Sequence, residues 1–156
     1  MAINTTFGAG AVLTAAQMNN LPFGVAGIQT LTSSFATAAP HTTFQDNGMT
    51  LTITEVSGRY YRITAFSNLV PTGGLQGIGL RIVRTAGSLK QGNYAPAVMQ
   101  VDTSLPVVLS FTYLSVASGA ATYKVQIGAI TNNTTVNDYG DATFPRQFLI
   151  EDLGKT

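Results

Sequence analysis

The chain has 156 residues, one histidine, no cysteine and a formal net charge of +1 at pH 7. Because 45% of its residues are hydrophobic and only 10% are charged, it is not an intrinsically disordered chain, which combines few apolar residues with a high net charge. The missing cysteines exclude zinc fingers, disulfide frameworks and thiol nucleophiles, and the near-neutral charge disfavours an extended electrostatic contact with nucleic acid. We therefore expect one globular domain with no cofactor and no nucleic-acid partner.

Neither a secretory signal nor a membrane span is predicted. No Lys or Arg precedes Arg59, whereas a signal peptide opens with basic residues. The most apolar stretch, residues 105–116, contains Pro106, Ser110 and Thr112 and is shorter than the roughly 18 residues of a membrane span. We expect a protein that has no membrane partner and is made in a cytoplasm.

The opening of the chain has an unusual composition, because residues 1–45 contain no Asp, Glu, Lys or Arg. Thr14 and Gln17 form a capping box, which predicts a helix of one or two turns that ends by Asn20. Apolar side chains spaced by Gly and Ala cannot bury themselves alone, so residues 1–26 are predicted to be an attachment arm. The arm either lies on its own domain or docks on another chain. The residues predicted to attach it are Phe7, Leu13, Met18, Leu21 and Phe23.

From residue 27 onward, short runs of alternating apolar residues are separated by turn residues. Met49, Leu51 and Ile53 alternate with threonines, a pattern typical of a strand with one buried and one solvated face. Regular pairing of the closing strand is expected at or after Arg146, because Pro145 donates no hydrogen bond. Several strands without intervening helical patterns predict an all-β domain over residues 27–156, with two antiparallel sheets in a sandwich or barrel.

Two of the predicted strands are apolar on both sides. Residues 59–66 carry Tyr61 on one side and Phe66 on the other, and residues 107–114 show the same feature. Since an isolated antiparallel sandwich exposes polar faces, we expect these strands to contact another copy of the chain, unless a loop or the arm covers them. The residues predicted for the oligomer interface or the core are Tyr61, Phe66, Phe111, Tyr113 and Phe148.

Residues 132–141 form a long polar segment that is predicted to be a loop. Its candidate host-contact residues are Asn132, Asn133, Asp138 and Tyr139, and a tyrosine ring offers a flat apolar face and a hydroxyl to a saccharide. The spacing lacks the order of a calcium loop, so no metal site is predicted.

No catalytic constellation is recognisable in the sequence. The single histidine, His41, is not part of a nucleophile elbow, and the carboxylates are scattered at predicted strand ends. Arg59, Arg62, Arg81 and Arg84 are interpreted as surface side chains that keep a near-neutral protein soluble. We therefore predict that the protein is not an enzyme.

Three strand segments and the opening of the chain carry a family resemblance. Residues 57–64 (SGRYYRIT), 79–84 (GLRIVR) and 148–154 (FLIEDLG) resemble the small jelly rolls of bacteriophage virion proteins, which are similar in pattern to the tumour-necrosis-factor and complement-head group. Residues 7–22 (FGAGAVLTAAQMNNLP) resemble the start of many phage tail, fibre or head-surface proteins. The resemblance implies an antiparallel jelly roll that packs as a homotrimer around a threefold axis. It implies no stalk, because the chain has no collagen-like repeat.

The function expected from this resemblance is that of a non-enzymatic phage structural protein on the virion surface, made in the cytoplasm of the host bacterium. A trimeric capsid decoration or cement protein is favoured, because one domain and an arm leave no residues for a fibre shaft. Its partners would be two further copies of itself and a major capsid or other virion protein that receives the arm. The alternative is a tail or head fibre tip that binds host-surface glycans, and a hydrolase of host polysaccharide is the third hypothesis.

Overall fold

The computed structural model describes residues 15–37, 44–71, 76–85, 90–99, 105–129 and 135–155. One helix and ten strands lie within these ranges. In chain order they are α1 (Ala15–Asn20), β1 (Gly24–Leu31), β2 (Phe35–Ala36), β3 (Gln45–Glu55), β4 (Arg59–Pro71), β5 (Gln76–Arg84), β6 (Lys90–Met99), β7 (Leu105–Leu114), β8 (Gly119–Ala129), β9 (Val136–Tyr139) and β10 (Arg146–Lys155). The short helix ends at Asn20 and the closing strand begins at Arg146, as the sequence predicts.

The strands form two antiparallel sheets. The first sheet has the order β1-β10-β4-β9-β2, and β7 pairs with β4 along the edge opposite to β10. The second sheet has the order β3-β8-β5-β6. In the first sheet, β9 and β10 follow one another along the same edge of β4, which makes them two halves of one interrupted strand. The pair β1 and β2 is interrupted in the same way, because β1 lies beside β10 and β2 beside β9.

Each sheet therefore consists of four strands when the interrupted ones are counted once. The first and last strands of the chain are neighbours in the first sheet, and β3 and β8 are neighbours in the second. In a jelly roll, the first and last strands of the chain pair in one sheet, and the strands next to them along the chain pair in the other sheet. This eight-stranded sandwich has that arrangement. The prediction of an all-β antiparallel jelly roll with one short N-terminal helix is confirmed.

The core lies between the two sheets and is formed by one side of each strand. Ile63 and Phe148 of the first sheet are fully buried, as are Leu80 and Ile127 of the second. In β3, Met49 and Ile53 are buried while the intervening threonines are exposed, so the alternation read from the sequence gives the correct faces.

Two expected strand positions are wrong. The first described strand begins at Gly24, where it pairs with Asp152, whereas strands were expected only from residue 27 onward. The predicted loop 132–141 contains strand β9, whose residues pair with the end of β4 from Asn68 to Pro71. The polar composition of this segment does not prevent a strand, because β4 extends beyond Phe66, where its pairing with β10 ends. The backbone groups of β4 that β10 leaves free are paired by β9.

Candidate functional site

The N-terminal segment, residues 15–23, is held on the domain by Arg59 at the start of β4. Arg59 is only 1% exposed, and its Nε lies 2.7 Å from a carboxylate oxygen of Asp152. The two terminal nitrogens of its guanidinium donate to the carbonyl oxygens of Asn19 and Leu21, the latter over 2.6 Å. The guanidinium carbon also lies 3.9 Å from the centre of the Phe23 ring. One buried cation therefore connects the domain to the segment that precedes β1.

Gly154 near the end of β10 allows the segment to pass close to the sheet. Its φ of +92° is a conformation that side-chain-bearing residues rarely adopt, and a Cβ there would lie 2.5 Å from the Asn20 carbonyl oxygen and 3.1 Å from the Pro22 nitrogen. A glycine is required by both the backbone angle and the contact. The sequence left open whether the arm lies on its own domain, and the structure places the backbone of residues 19–22 there.

The apolar side chains of this region nevertheless remain largely exposed, although one face of the Phe23 ring lies against Arg59. Met18, Leu21, Phe23, Val25 and Ile28 are between 44% and 62% exposed. We call them the attachment surface after the role that the sequence predicts for residues 1–26, a role that the structure itself does not test. A register shift between Val25 and Gly27 puts Val25 opposite Glu151 and Ile28 opposite Leu149, two residues of equal parity. This bulge keeps both apolar side chains on the outer face of the first sheet, although they are three positions apart.

Three of the five residues predicted for attachment lie within the described residues, and all three are exposed. Met18, Leu21 and Phe23 belong to the exposed attachment surface, and Val25 and Ile28 continue it along strand β1, which lies at the edge of the first sheet. Phe7 and Leu13 lie outside the described residues. Val25 and Ile28 were missed because they were assigned to different parts of the chain, whereas the bulge unites them.

The outer face of the first sheet is apolar at both ends and polar in the middle. Phe66 lies opposite Val108 at one end, and Tyr60 lies opposite Leu114 at the other. Between them, the hydroxyls of Thr64 and Ser110 lie 2.8 Å apart, and Arg62 forms a bidentate ion pair with Glu151. Hydrogen bonds from Arg62 hold the pKa of the Glu151 carboxyl below its ordinary value. The two-sided apolarity expected of these strands is therefore found at the two ends of the outer face, and its centre is polar.

The five residues predicted for the interface or the core divide between the two sides of the sheet. Tyr61 and Phe148 are buried in the core, and Phe111 and Tyr113 are partly buried against it from the same side. Phe66 is half-buried on the outer face. Phe66 is the one member of this group that lies on the outer face, whereas Phe111 and Tyr113 are partly exposed on β7 at the edge of the sheet.

Asp138, a predicted host-contact residue, is fully buried and forms an ion pair with Arg146, which is also buried. Its carboxylate accepts hydrogen bonds from the side chains of Asn47 and Ser67 and from the Asn68 backbone. Burial raises the pKa of Asp138 above its ordinary value, although these donors act in the opposite direction. The host-contact prediction is wrong for Asp138 because the residue holds strands together. Tyr139 is half exposed, and Asn132 and Asn133 lie outside the described residues.

The interpretation of the arginines as surface residues is wrong for Arg59 and for Arg84, whose guanidinium pairs with the buried Glu55 at 3.0 Å. A signal in the sequence marks Arg59, since it shares the parity of the buried residues Tyr61 and Ile63 along β4. Arg62, of the opposite parity, is exposed as expected.

Glu55 is the centre of a second buried polar cluster that the sequence did not predict. It accepts hydrogen bonds from the hydroxyls of Tyr113, Tyr123 and Ser115. Burial acts to raise the pKa of Glu55, but these hydrogen bonds and the charge of Arg84 outweigh it and hold the pKa below its ordinary value. A single charged carboxylate that is paired with an arginine is typical of a structural ion pair, whereas a glycosidase needs two carboxylates that act together.

Two further classes of site can be assessed for the described part of the chain. It contains no group of three or more His, Cys, Asp or Glu side chains that could hold a metal ion. No helix in it has the length and apolarity needed to cross a membrane. His41 lies outside the described residues.

No protein-family pattern matches the sequence, and no curated protein sequence matches it. Among solved structures, the chain is similar to the VP2 subviral particle of infectious bursal disease virus, with 6% identity and a TM-score of 0.44 over 83% of this chain and 37% of that one. It is also similar to the CBM22-1 xylan-binding domain of Paenibacillus barcinonensis Xyn10C, with 11% identity and a TM-score of 0.35 over 85% and 98% of the two chains. The chain thus spans little more than a third of the length of the viral protein. At these TM-scores the superpositions carry no information about function.

Proposed function

We propose that the chain is a non-enzymatic structural protein of a bacteriophage virion, and specifically a trimeric decoration or cement protein on the capsid exterior. The observation that carries the proposal is the attachment surface, a series of exposed apolar side chains on a segment that Arg59 and Gly154 hold in place. Large exposed apolar patches on a folded domain are typical of surfaces that contact another protein. The resemblance of residues 7–22 to the opening of phage head and tail proteins supports a virion protein as that partner.

The geometry of the attachment surface suits a clamp more than a flexible tether. Backbone carbonyls of Asn19 and Leu21 are bound to a buried guanidinium, so the backbone that carries Met18, Leu21 and Phe23 is held at a fixed position. Preorganisation of this kind lowers the entropy that is lost on docking. Decoration of a capsid requires only such a clamp and an outward-facing domain, and the 156 residues provide both.

The homotrimer is part of the proposal, and its proposed interface is the part of the first sheet's outer face that β10, β4 and β7 form, whereas Val25 and Ile28 lie on β1 at the edge of that face. The apolar pairs Phe66 with Val108 and Tyr60 with Leu114 provide contact area at the two ends of this face. The Arg62 and Glu151 pair at its centre would supply polar specificity. Sedimentation of the purified chain should give three copies per particle, and a monomer that is stable at micromolar concentration would refute this part of the proposal.

The attachment role is tested by binding of the purified full chain to capsids that lack it. The double substitution Val25→Ser and Ile28→Ser should abolish co-sedimentation with the capsids, because it removes two exposed apolar side chains of the attachment surface. Val116→Ser is the matched control, since Val116 is 87% exposed and lies outside that surface. Equal capsid binding by the double variant and the control would contradict the attachment role, and a fibre-tip location is indicated if the chain binds purified tails alone.

A further inference from the structure

A cleft of about 400 Å³ opens where β9 ends and the chain leaves the sheet before β10. It is lined by Ser34, Asn68, Tyr139, Gly140, Asp141 and Phe144. Tyr139 lies directly opposite Asn68 in the sheet, on the outer side, because the preceding residue Asp138 is buried on the inner side. The turn 140–145 then places Phe144 at the same opening. The cleft is separate from the attachment surface and from the Arg59–Asp152 pair, and it adjoins the buried Asp138–Arg146 pair.

The turn that forms one wall of the cleft is fixed by its own hydrogen bonds. The Asp141 side chain accepts from the backbone nitrogens of Thr143 and Phe144, each over 2.7 Å. Gly140 is hydrogen-bonded to the Ser34 hydroxyl, and a Cβ at Gly140 would lie 2.9 Å from the Ser33 carbonyl oxygen. The wall is therefore formed before any ligand binds, which is the usual condition of small-molecule sites.

Two features of the cleft are left without a structural explanation. Tyr139 and Phe144 are 49% and 65% exposed, so the described residues leave much of both aromatic rings uncovered. Asn68 is only 8% exposed, and its Nδ2 has no hydrogen-bond partner in the described structure. Buried amide donors are almost always paired, so an unpaired one in a residue that lines a cleft indicates a missing acceptor. Because Asn68 Nδ2 is itself closed to solvent, an acceptor in the cleft would pair with it after the amide group turns toward the opening.

We propose that this cleft binds a neutral pyranose sugar. The C–H face of the sugar ring would stack on Tyr139 and Phe144, and a sugar hydroxyl would accept the hydrogen bond from Asn68 Nδ2. A neutral sugar is favoured because Arg146, the cation next to the cleft, is buried and paired with Asp138. The size of the cleft, near the lower end of the range for ligand sites, suits one or two sugar rings.

The inference goes beyond the structural role and does not depend on where the chain lies on a virion. It also differs from the sequence prediction of a host-contact loop, because Asp138 is excluded while Asn68 and Phe144 come from outside residues 132–141. A second copy of the chain is the competing occupant of exposed aromatic rings. A second copy that docked on the cleft would satisfy Asn68 Nδ2 only if it placed a hydrogen-bond acceptor next to that nitrogen.

Saturation-transfer NMR tests the site with the methyl glycosides of glucose, galactose, mannose and N-acetylglucosamine as probes. At least one of them should receive saturation from the full chain, most strongly at its ring C–H protons. Phe144→Ala and Asn68→Ala should each weaken its binding by about tenfold or more. Val116→Ala is the matched control, because Val116 is 87% exposed and lies outside the cleft, the attachment surface and the proposed trimer interface. Binding by the control should equal that of the unchanged chain.

Three results would overturn the inference. The first is that none of the four glycosides binds up to its solubility limit, and the second is that the two cleft variants bind as tightly as the control. The third is that Phe144→Ala dissociates an oligomer which the unchanged chain forms in sedimentation, since the cleft would then be occupied by a second copy. Capsid binding by the same variants is expected to be unchanged, so that failure of this inference and failure of the structural role are separate outcomes.

Discussion

Removal of the Arg59 guanidinium should destabilise the protein far more than removal of its neighbour Arg62. Both arginines lie on β4 and pair with a carboxylate of β10 at an N–O distance of 2.7 Å. The Arg59 and Asp152 side chains are 1% and 5% exposed, whereas those of Arg62 and Glu151 are 48% and 22% exposed. The two pairs therefore differ mainly in burial, and each serves as the control for the other.

The magnitudes follow from what each substitution leaves behind. Arg59→Met leaves the buried Asp152 carboxylate with the Gly154 backbone nitrogen as its remaining described donor and frees the carbonyls of Asn19 and Leu21. Breaking a buried ion pair in this way costs about 3–5 kcal/mol, which is a large share of the total stability of one domain. Arg62→Met breaks a solvated pair, which solvent screens, and should lower the free energy of unfolding far less.

Urea unfolding of the two variants and the unchanged chain measures the difference, and hydrogen exchange of residues 19–23 reports whether the N-terminal segment is released. Only Arg59→Met should speed that exchange. Adding Asp152→Asn to Arg59→Met should recover part of the lost stability, because the uncompensated charge is removed. If the two single variants differ by less than about 0.5 kcal/mol, the buried guanidinium does not have the role assigned to it.

Three further predictions concern the core, the N-terminal segment and pH. Phe148→Ala should lower the free energy of unfolding by about 3–5 kcal/mol because its ring is fully buried, whereas the control Val116→Ala should lower it by about 0.5 kcal/mol or less. If the two variants lower the thermal unfolding midpoint by the same small amount, the closing strand lies outside the core. Gly154→Ala should speed hydrogen exchange of residues 19–23, because a Cβ would meet the Asn20 carbonyl, and unchanged exchange would contradict that contact. Since the pKa of Glu55 is lower in the folded state, its contribution to stability is present above about pH 4.5 and is lost as the pH falls through the folded value. Glu55→Gln should thus be less stable than the unchanged chain at pH 7 by about 1–3 kcal/mol. In denaturant titrations this difference in the free energy of unfolding should become smaller below about pH 4.5. A difference that does not change with pH would refute the role assigned to Glu55.

The alternation of apolar residues was sufficient to predict the strand faces. Met49 and Ile53 in β3, and Phe148 and Ile150 in β10, share a parity and are buried together. A period of two is imposed by the pleat of the backbone and needs no knowledge of strand partners. The short helix and the start of β10 were likewise predicted from local chemistry, because capping and the missing donor of proline act within a few residues.

Interactions between distant residues could not be predicted in the same way. Arg59 and Asp152 are 93 residues apart, and only the pairing of β4 with β10 brings them together. Composition suggested that Asp138 lies in a solvated loop, whereas the unpaired end of β4 draws it into a strand beside Arg146. The bulge that joins Val25 and Ile28 on one face is also a property of the pairing with β10. The attachment surface and the cleft therefore became visible only with the sheet register.

Electron cryo-microscopy of the particles made by a phage that encodes this chain tests the proposed role most directly. The account predicts threefold clusters of jelly-roll domains on the capsid exterior, with Met18, Phe23, Val25 and Ile28 against the capsid surface. Absence of the chain from the particle, or its confinement to the tail, would contradict a capsid decoration protein.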